Sequence, residues 1–181
     1  LGALFVVAAL RVLGSEDELT LTSINSLGSI YLARGAWKEA EPLLTEALAT
    51  SRRVRGPENL MTIRSMDQLA QVFGQQGRYK EAEVIRREVL AVRLRQVGPD
   101  HPGMVGARAS LAQNLINQDE PATLQEAERL LGENLDVARR VNGERHRVTS
   151  MARLSLGYLY VAQHRYAEAE VVFRDAVSGL R

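Results

Sequence analysis

Two short stretches of this 181-residue chain place carboxylates where they could act in pairs. Residues 78–90 read RYKEAEVIRREVL and residues 165–177 read RYAEAEVVFRDAV, and in each an alanine lies between two glutamates. Two convergent carboxylates can serve as general acid and general base. On a helix, however, Glu81 and Glu83 would point about 200 degrees apart and could not share a substrate. Near a helix N-terminus such glutamates interact favourably with the helix dipole, which predicts a structural role for them.

Few other groups in the chain could support catalysis or metal binding. There is no cysteine, and the three histidines form no His-x-x-x-His pair that would place two metal ligands on one helix face. The glycines lack the spacings of phosphate-binding loops, and no nucleophile elbow supports a serine triad. We therefore expect that the chain is not an enzyme and holds no cofactor and no metal.

Basic residues recur toward the ends of several predicted helices and raise nucleic acid as an alternative ligand. They are Arg52, Arg53, Arg55, Arg93, Arg95, Arg139 and Arg140. Such side chains contact phosphates, but a helix C-terminus favours cations by itself, and no aromatic ladder for base stacking accompanies them. Because 23 basic and 22 acidic residues leave a net charge of +1, no long-range field attracts a polyanion. We predict no nucleic-acid partner.

The composition is that of an ordinary folded domain, with 45% hydrophobic and 25% charged residues. The absence of cysteine favours an intracellular compartment, and we expect a cytoplasmic protein. The opening LGALFVVAAL is too short to span a bilayer and lacks the basic leader of a signal peptide, so we predict no membrane partner. Because the chain does not begin with Met and ends within a predicted helix, we expect a fragment of a longer protein.

An internal repeat organises the elements that carry these residues. Glycines fall at Gly14, Gly56, Gly98 and Gly143, at spacings of 42, 42 and 45 residues, and a period of this size is typical of solenoids. Three further columns follow in register: Leu27, Leu69, Leu111 and Leu156; Gly28, Ala70, Ala112 and Gly157; Ala40, Ala82, Ala127 and Ala169. The third repeat is longer because NQDEPATLQEAE replaces GQQGRYKEAE, which predicts an expanded turn.

Each column predicts a contact between helices. Leu27 and Gly28 would lie on one helix stripe that faces a neighbouring helix. A glycine inside a helix costs about 1 kcal/mol relative to alanine, so Gly28 and Gly157 predict the close approach of another backbone. Gly35 and Gly77 predict left-handed residues that end the first helix of a hairpin.

The pattern resembles the tetratricopeptide repeat. Counting Tyr31 as position 11 of that consensus puts Leu27 at position 7, Gly28 at position 8 and Ala40 at position 20, and the resemblance covers essentially the whole chain. The 42-residue period, with GPDHP between repeats, is similar to the kinesin light chain type, which also occurs in NB-ARC and other NLR-like signalling ATPases. The resemblance implies an all-α fold: a TPR-type helical-hairpin solenoid, wound as a right-handed α-α superhelix.

Four helical hairpins are expected after one partial repeat. The predicted segments are 1–13 (the second helix of a truncated preceding repeat), 14–55, 56–97, 98–142 (with the three-residue insertion) and 143–181 (a fourth repeat that the end of the chain shortens). The helices are expected near 17–34, 37–54, 59–76, 79–97, 101–118, 121–142, 145–163 and 166–181.

The resemblance also implies a concave groove lined by the first helix of each hairpin. By consensus position, the candidate groove residues are Thr22, Asn25, Ser26, Ser29, Arg64, Asp67, Gln68, Gln71, Gln75, Ser110, Gln113, Asn117, Ser155 and Tyr158. Their amides and hydroxyls can donate to and accept from an extended peptide backbone. A face that is merely solvated is also polar, so this alternative explanation stays open.

These observations predict a non-catalytic protein-interaction module that binds a peptide or protein segment in the groove. An alternative is a sensor or autoinhibitory repeat array of an NLR-like, NB-ARC-type signalling ATPase, acting by intramolecular docking or self-association. The apolar N-terminal helix, with Leu4, Phe5, Val6 and Leu10, offers a surface for self-association.

Overall fold

The computed structural model describes residues 12–14 and 16–178, and these residues form only helices and the turns between them. The helices are α1 (Glu18–Ala33), α2 (Trp37–Arg55), α3 (Leu60–Gln75), α4 (Tyr79–Val97), α5 (Met104–Ile116), α6 (Pro121–Asn142), α7 (Arg147–Ala162) and α8 (Tyr166–Ser178). The predicted all-α class is confirmed. The apolar stretch from Leu4 to Leu10, expected to be helical, lies outside the described residues.

In three of the hairpins, a side chain that precedes the first helix accepts a hydrogen bond from a backbone N–H that the helix leaves free. Asp17 and Asn59 each accept, through Oδ1, from the N–H two residues later, at 2.8 and 2.9 Å. His146 Nδ1 does the same before α7, at 3.2 Å. Before α5, His101 Nδ1 accepts from Gly103 N at 3.0 Å. This bond lies in the turn ahead of the helix, and α5 begins at Met104, three residues later than predicted.

The turn inside each hairpin contains one residue with positive φ. In the first two hairpins it is Gly35 (φ 70°) and Gly77 (φ 76°), as the sequence predicted. In the other two it is Asp119 (φ 55°) and His164 (φ 59°). Aspartate and histidine are among the non-glycine residues that tolerate this region. The turn geometry therefore persists where the glycine is lost.

The chain divides into two compact units, Leu1–Val89 and Leu90–Arg181. In the first unit, α1 packs against both α2 and α3, and α2 packs against α3. The second helix of one hairpin thus contacts the first helix of the next, as in stacked helical hairpins. A core cluster of this unit contains five buried apolar residues: Leu21, Ile24, Leu27, Ala47 and Met61.

The second unit repeats this arrangement. Its helix α7 packs against α5, α6 and α8, and α5 packs against α6. The core cluster contains buried residues from these helices: Leu111, Ala112, Leu115, Ala127, Leu130, Leu131, Leu135, Ala138, Ala152, Leu156 and Leu159. The small alanines allow close approach of the helices, and the leucines fill the remaining space, as close packing of the interior requires.

The predicted columns are buried. The four alanines that precede the glutamates, from Ala40 to Ala169, are at most 3% exposed. A Cβ on Gly28 would lie 2.6 Å from Leu44 Cδ2, and a Cβ on Gly157 would lie 2.5 Å from Phe173 Cε1. The close approach expected at these glycines is therefore present, but the neighbour is a side chain of the second helix rather than its backbone.

Candidate functional site

The predicted groove residues of the first unit lie in two stripes, one on α1 and one on α3. Thr22, Ser26 and Ser29 follow each other at helical spacing on α1, and the two serines are exposed. Their hydroxyls donate back to the carbonyl four residues earlier, at 2.9 and 3.1 Å. On α3 the stripe contains Arg64, Gln68, Gln71 and Gln75, of which all but Gln68 are exposed.

Asn25, also predicted for the groove, is buried between α1 and α3. Its side chain is 1% exposed, and Nδ2 donates to Leu21 O at 2.9 Å. Ser65 Oγ donates to Asn25 Oδ1 at 3.0 Å. Gln68 Nε2 donates to Asn25 O at 2.9 Å and also to Ser29 Oγ. Asn25 thus ties the two first helices together, and Ser65 is a partner that sequence reasoning missed.

Asp67 lies in the same unit near an unusual arginine. Arg86, on α4, occupies the column where the other hairpins have Leu44, Leu131 and Phe173. It is half-buried, and this burial lowers the pKa of its guanidinium, while the charge of Asp67 raises it. The first unit therefore includes a partly desolvated cation that interacts with Asp67, one of the groove candidates.

The groove candidates of the second unit are on α5, at its C-terminal end, and on α7. Gln113 is exposed and donates to Asn117 Oδ1 at 3.1 Å, next to half-buried Ser110. On α7, Ser155 Oγ donates to a carbonyl of its own helix at 3.2 Å. Tyr158 is 60% exposed, and its ring meets Phe173 edge to face at a centroid distance of 5.4 Å. An exposed aromatic ring held in this way offers apolar area at low entropic cost.

The first glutamate of each of the two similar stretches belongs to an ionic contact between hairpins, which we call the clamp, whereas Glu83 and Glu170 pair with Arg87 and Arg174 of their own helices. In the first unit, Arg78 Nη1 donates to Glu41 Oε1 at 2.6 Å, and its other nitrogens donate to Glu81 at 2.8 and 2.5 Å. Gln76 Nε2 donates to the second oxygen of Glu41 at 2.8 Å. The guanidinium of Arg78 also lies 4.1 Å from the ring centroid of Phe73.

The same clamp occurs in the second unit. Arg165 donates to Glu128 Oε1 at 2.8 Å and, through two nitrogens, to Glu168. Gln163 Nε2 donates to Glu128 Oε2 at 3.1 Å, and Arg165 lies 4.2 Å from the ring centroid of Tyr160. In each unit the arginine binds two glutamates. One, Glu81 or Glu168, belongs to its own hairpin, and the other, Glu41 or Glu128, belongs to the preceding hairpin.

These contacts shift the pKa values of the glutamates and arginines involved. Hydrogen bonds from Arg78 hold the pKa of Glu41 and of Glu81 below the usual range, and Arg165 does the same for Glu168. The pKa of each arginine is raised in turn by its carboxylate partners. The carboxylates act as fixed anions that join helices, so the structural role predicted for them is supported, with arginine as the partner.

Several arginines at the ends of second helices pair with acidic side chains. Arg52 Nη2 lies 2.5 Å from Glu88 Oε2, and Arg140 Nη2 lies 2.5 Å from Asp100 Oδ1. Arg53 lies 2.6 Å from Glu16. Phosphate recognition would compete with these pairs.

Metal ligands and membrane-spanning segments were also sought. Within residues 12–14 and 16–178, no three His, Asp or Glu side chains lie close enough together to hold a metal ion. His101 and His146 cap turns, and His164 Nδ1 lies 2.9 Å from the hydroxyl of Tyr166. Each helix in the described part of the chain is too short or too polar to cross a bilayer.

Comparison with known families identifies the repeat. A sequence model described as the tetratricopeptide repeat matches residues 17–95 and 123–181, more than half of the chain. The chain belongs to the tetratricopeptide repeat family. Among curated proteins, none matches it in sequence.

Solved structures share this tetratricopeptide fold. A kinesin light chain-type protein of Podosopora anserina with nearly identical TPR-like repeats has a TM-score of 0.86 at 22% identity, over 98% of this chain and 83% of that one. A variant of that protein gives 0.88 at 22% identity, over 98% and 82%. BtubC (BKLC) from P. vanneervenii gives 0.76 at 20% identity, over 99% and 70%. The predicted TPR-type helical-hairpin solenoid is therefore confirmed, with a likeness to kinesin light chain-type repeats.

Tetratricopeptide repeats generally serve as protein-interaction modules and non-catalytic scaffolds. In this tetratricopeptide chain, an open trough of about 750 Å³ lies along α7 and α8. Its lining includes Val161, Tyr166, Phe173 and Val177. Val177 is 55% exposed, whereas Leu135, at the matching position of the preceding hairpin, is 7% exposed. The trough is thus the face that a following hairpin covers elsewhere in this unit.

Proposed function

We propose that this tetratricopeptide chain is a non-catalytic module whose first helices bind an extended peptide or protein segment. The observation that carries the proposal is the exposed polar stripe on α3, formed by Arg64, Gln71 and Gln75 beside the serine hydroxyls of α1. Amide groups both donate and accept hydrogen bonds, so a row of them matches the alternating N–H and C=O groups of an extended backbone. Arg64 adds a charge that favours an acidic residue in the bound segment.

The site would form hydrogen bonds mainly with the backbone of the bound segment. Asn25 and Ser65 supply the rigid base for this face because their hydrogen bonds hold α1 against α3. A face held in place before binding pays less ordering entropy on association. We therefore propose that Asn25 holds the two helices in position, and that Arg64, Gln71 and Gln75 contact the bound segment.

The proposal can be tested by selecting peptides on the intact chain from a random library. Binding is then measured by fluorescence polarisation with Arg64→Ala and Gln71→Ala. Each substitution should weaken binding about tenfold, the usual effect of losing one hydrogen bond to a charged or desolvated partner. Lys38→Ala is the control because Lys38 is exposed on α2 and belongs to neither stripe. Failure to select any peptide, or unchanged affinity in both variants, would contradict the proposal.

A second function is favoured by the apolar trough on α7 and α8. An NLR-like, NB-ARC-type signalling ATPase would use such a repeat array as a sensor or autoinhibitory part that docks within the molecule or self-associates. The exposed Val177 and Tyr166 supply apolar area for this docking. The apolar residues before Arg11 are a further surface that we propose for self-association.

Sedimentation velocity over a range of concentrations tests this second function. Self-association through the trough should shift the sedimentation coefficient upward with concentration, and Val177→Asp should abolish that shift. Val84→Asp is the control, since Val84 is 68% exposed and lies outside the trough. A parent gene without a nucleotide-binding domain would remove the signalling ATPase from consideration.

A further inference from the structure

Two first helices of the second unit each bury an arginine against the loop that precedes the helix. Arg108 on α5 and Arg153 on α7 are both 6% exposed. Arg108 Nη2 donates to Pro99 O at 2.8 Å, and Arg153 Nη1 donates to Glu144 O at 2.9 Å. Pro99 and Glu144 occupy the same place in their repeats, one residue after the loop glycine. The two guanidiniums are therefore held in equivalent positions.

The two arginines differ in the partner of Nε. Arg108 Nε lies 3.3 Å from Glu133 Oε2 on the second helix of its hairpin. The matching residue for Arg153 is Asp175, whose side chain is one methylene shorter. Arg153 Nε is buried and, among the described residues, has no hydrogen-bond partner. Burial of a donor without a hydrogen-bond partner destabilises the folded state. Arg153 Nε is therefore a position at which an acceptor from a ligand would be favourable.

A polar pocket of about 400 Å³ opens beside Arg153. Its lining residues are Arg139, Glu144, Arg145, Arg153, Asp175 and Ser178. The Glu144 carboxylate bridges two of the guanidiniums, with Oε1 3.2 Å from Arg139 Nε and Oε2 bonded to Arg153 Nη2. Arg145 is exposed, and within the described part of the chain it forms no ion pair. Two donors, Arg153 Nε and the Arg145 guanidinium, thus remain for a ligand.

The charges of the pocket select the ligand. Three guanidiniums and two carboxylates leave one positive charge, which a single carboxylate neutralises. A phosphate group carries nearly two negative charges at neutral pH and would leave an excess beside Glu144 and Asp175. We propose that this pocket binds the side-chain carboxylate of a glutamate or aspartate on a partner protein segment. The pocket shares no residue with the groove stripes, so this inference and the proposed groove function can fail separately.

The test is a titration of the intact chain with a blocked peptide that carries one glutamate, followed by NMR through the arginine Nε–H signals. Binding should be saturable and should shift the Arg153 signal, whereas the same peptide with glutamine should not bind. Arg145→Gln should weaken binding about tenfold, because it removes one charged donor. Arg147→Gln is the matched control, since it removes the same charge from a residue that does not line the pocket.

Asp175 allows a second, sharper comparison. Asp175→Glu keeps the charge but restores the length of Glu133, so its carboxylate should take Arg153 Nε and weaken peptide binding about tenfold without loss of stability. Asp175→Asn, which removes a competing negative charge, should strengthen binding. Equal binding of the glutamine peptide, tighter binding of a phosphoserine peptide, or no effect of Asp175→Glu would each overturn the assignment.

Discussion

Gly28 and Gly157 lie where the first helix of a hairpin touches a large side chain of the second. Leu44 fills the space beside Gly28 and is fully buried, and Phe173 fills the space beside Gly157. The sequence predicted that these positions need a small residue, because a glycine inside a helix is otherwise unfavourable. It could not predict which atoms come close, since that depends on side-chain rotamers rather than on helix period.

Gly157→Ala should lower the free energy of unfolding by about 1–2 kcal/mol. The new Cβ would lie 2.5 Å from the Phe173 ring, and overpacking of this kind outweighs the gain in helix propensity of about 1 kcal/mol. Gly132→Ala is the control, because a Cβ there meets no atom within 4 Å, and it should stabilise the chain by up to about 1 kcal/mol. Urea denaturation of both variants measures the difference. A Gly157→Ala chain at least as stable as the wild type would refute this packing argument.

Asn25 shows the limit of residue-level prediction for the site. Its consensus position placed it in the groove, and its side chain proves to be buried against Ser65. Polarity alone could not separate the two locations, because an amide can serve a ligand or a neighbouring helix equally well. The exposed members of the stripes, such as Gln71 and Gln75, remain predictions for ligand contact.

In two of the loops between hairpins, a buried threonine donates a hydrogen bond to the carbonyl of the loop glycine. Thr62 Oγ1 donates to Gly56 O at 2.8 Å, and Thr149 Oγ1 donates to Gly143 O at 2.7 Å. Both threonines are fully buried. A threonine six residues after the loop glycine recurs in three repeats, as Thr20, Thr62 and Thr149. Among the described residues the buried hydroxyl of Thr20 has no hydrogen-bond partner, so the period identifies the position but not the contact. In the third repeat this position holds Met104, which is buried without a hydroxyl.

Thr149→Val should destabilise the chain by about 1–2 kcal/mol, because the substitution keeps the volume of the side chain but removes the hydroxyl that hydrogen-bonds the carbonyls of Ala138 and Gly143. Thr45→Val is the control. Thr45 is exposed, and its Oγ1 donates within its own helix, to Glu41 O at 2.8 Å, so loss of this hydroxyl should change the free energy of unfolding by no more than about 0.5 kcal/mol. Thermal and chemical denaturation followed by circular dichroism would measure both. Equal effects of the two substitutions would mean that the loop contact contributes nothing.

Across the whole chain, the clamp links fold stability to pH. Glu41, Glu81 and Glu168 have lowered pKa values in the folded protein because arginine side chains donate to them. A carboxyl with a lowered folded pKa binds its proton more readily when the chain unfolds. Its stabilising contribution is therefore complete above the unfolded pKa of about 4.3 and is lost as the pH falls through the folded value.

Glu41→Gln should reduce stability most at neutral pH, and the difference from the wild type should narrow as the pH falls below about 4. Glutamine keeps the shape of the side chain but cannot pair ionically with Arg78. Urea denaturation between pH 3 and pH 7 provides the measurement. Glu39→Gln serves as the control, because in the described part of the chain Glu39 forms no ion pair. A difference for Glu41→Gln that does not vary with pH would show that the charge of Glu41 is not what stabilises this contact.

The fold of the whole chain could be predicted to a large extent because glycine, leucine and alanine recur with a period of about 42 residues. Contacts between hairpins were harder to foresee. Arg78 and Glu41 are 37 residues apart, as are Arg165 and Glu128. Each residue alone is compatible with a solvated surface or a helix end. Only the placement of one hairpin against the next brings the two partners together.

The clamp also bears on how such a chain can change in length over evolutionary time. Two consecutive hairpins carry the two halves of the bond, the glutamate in the first and the arginine in the second, so one stretch of gene encodes both. Duplication of that stretch inserts a pair of hairpins whose internal contact is already complete. Unequal recombination can then lengthen or shorten the protein by two hairpins at a time, without any compensating mutation within the pair.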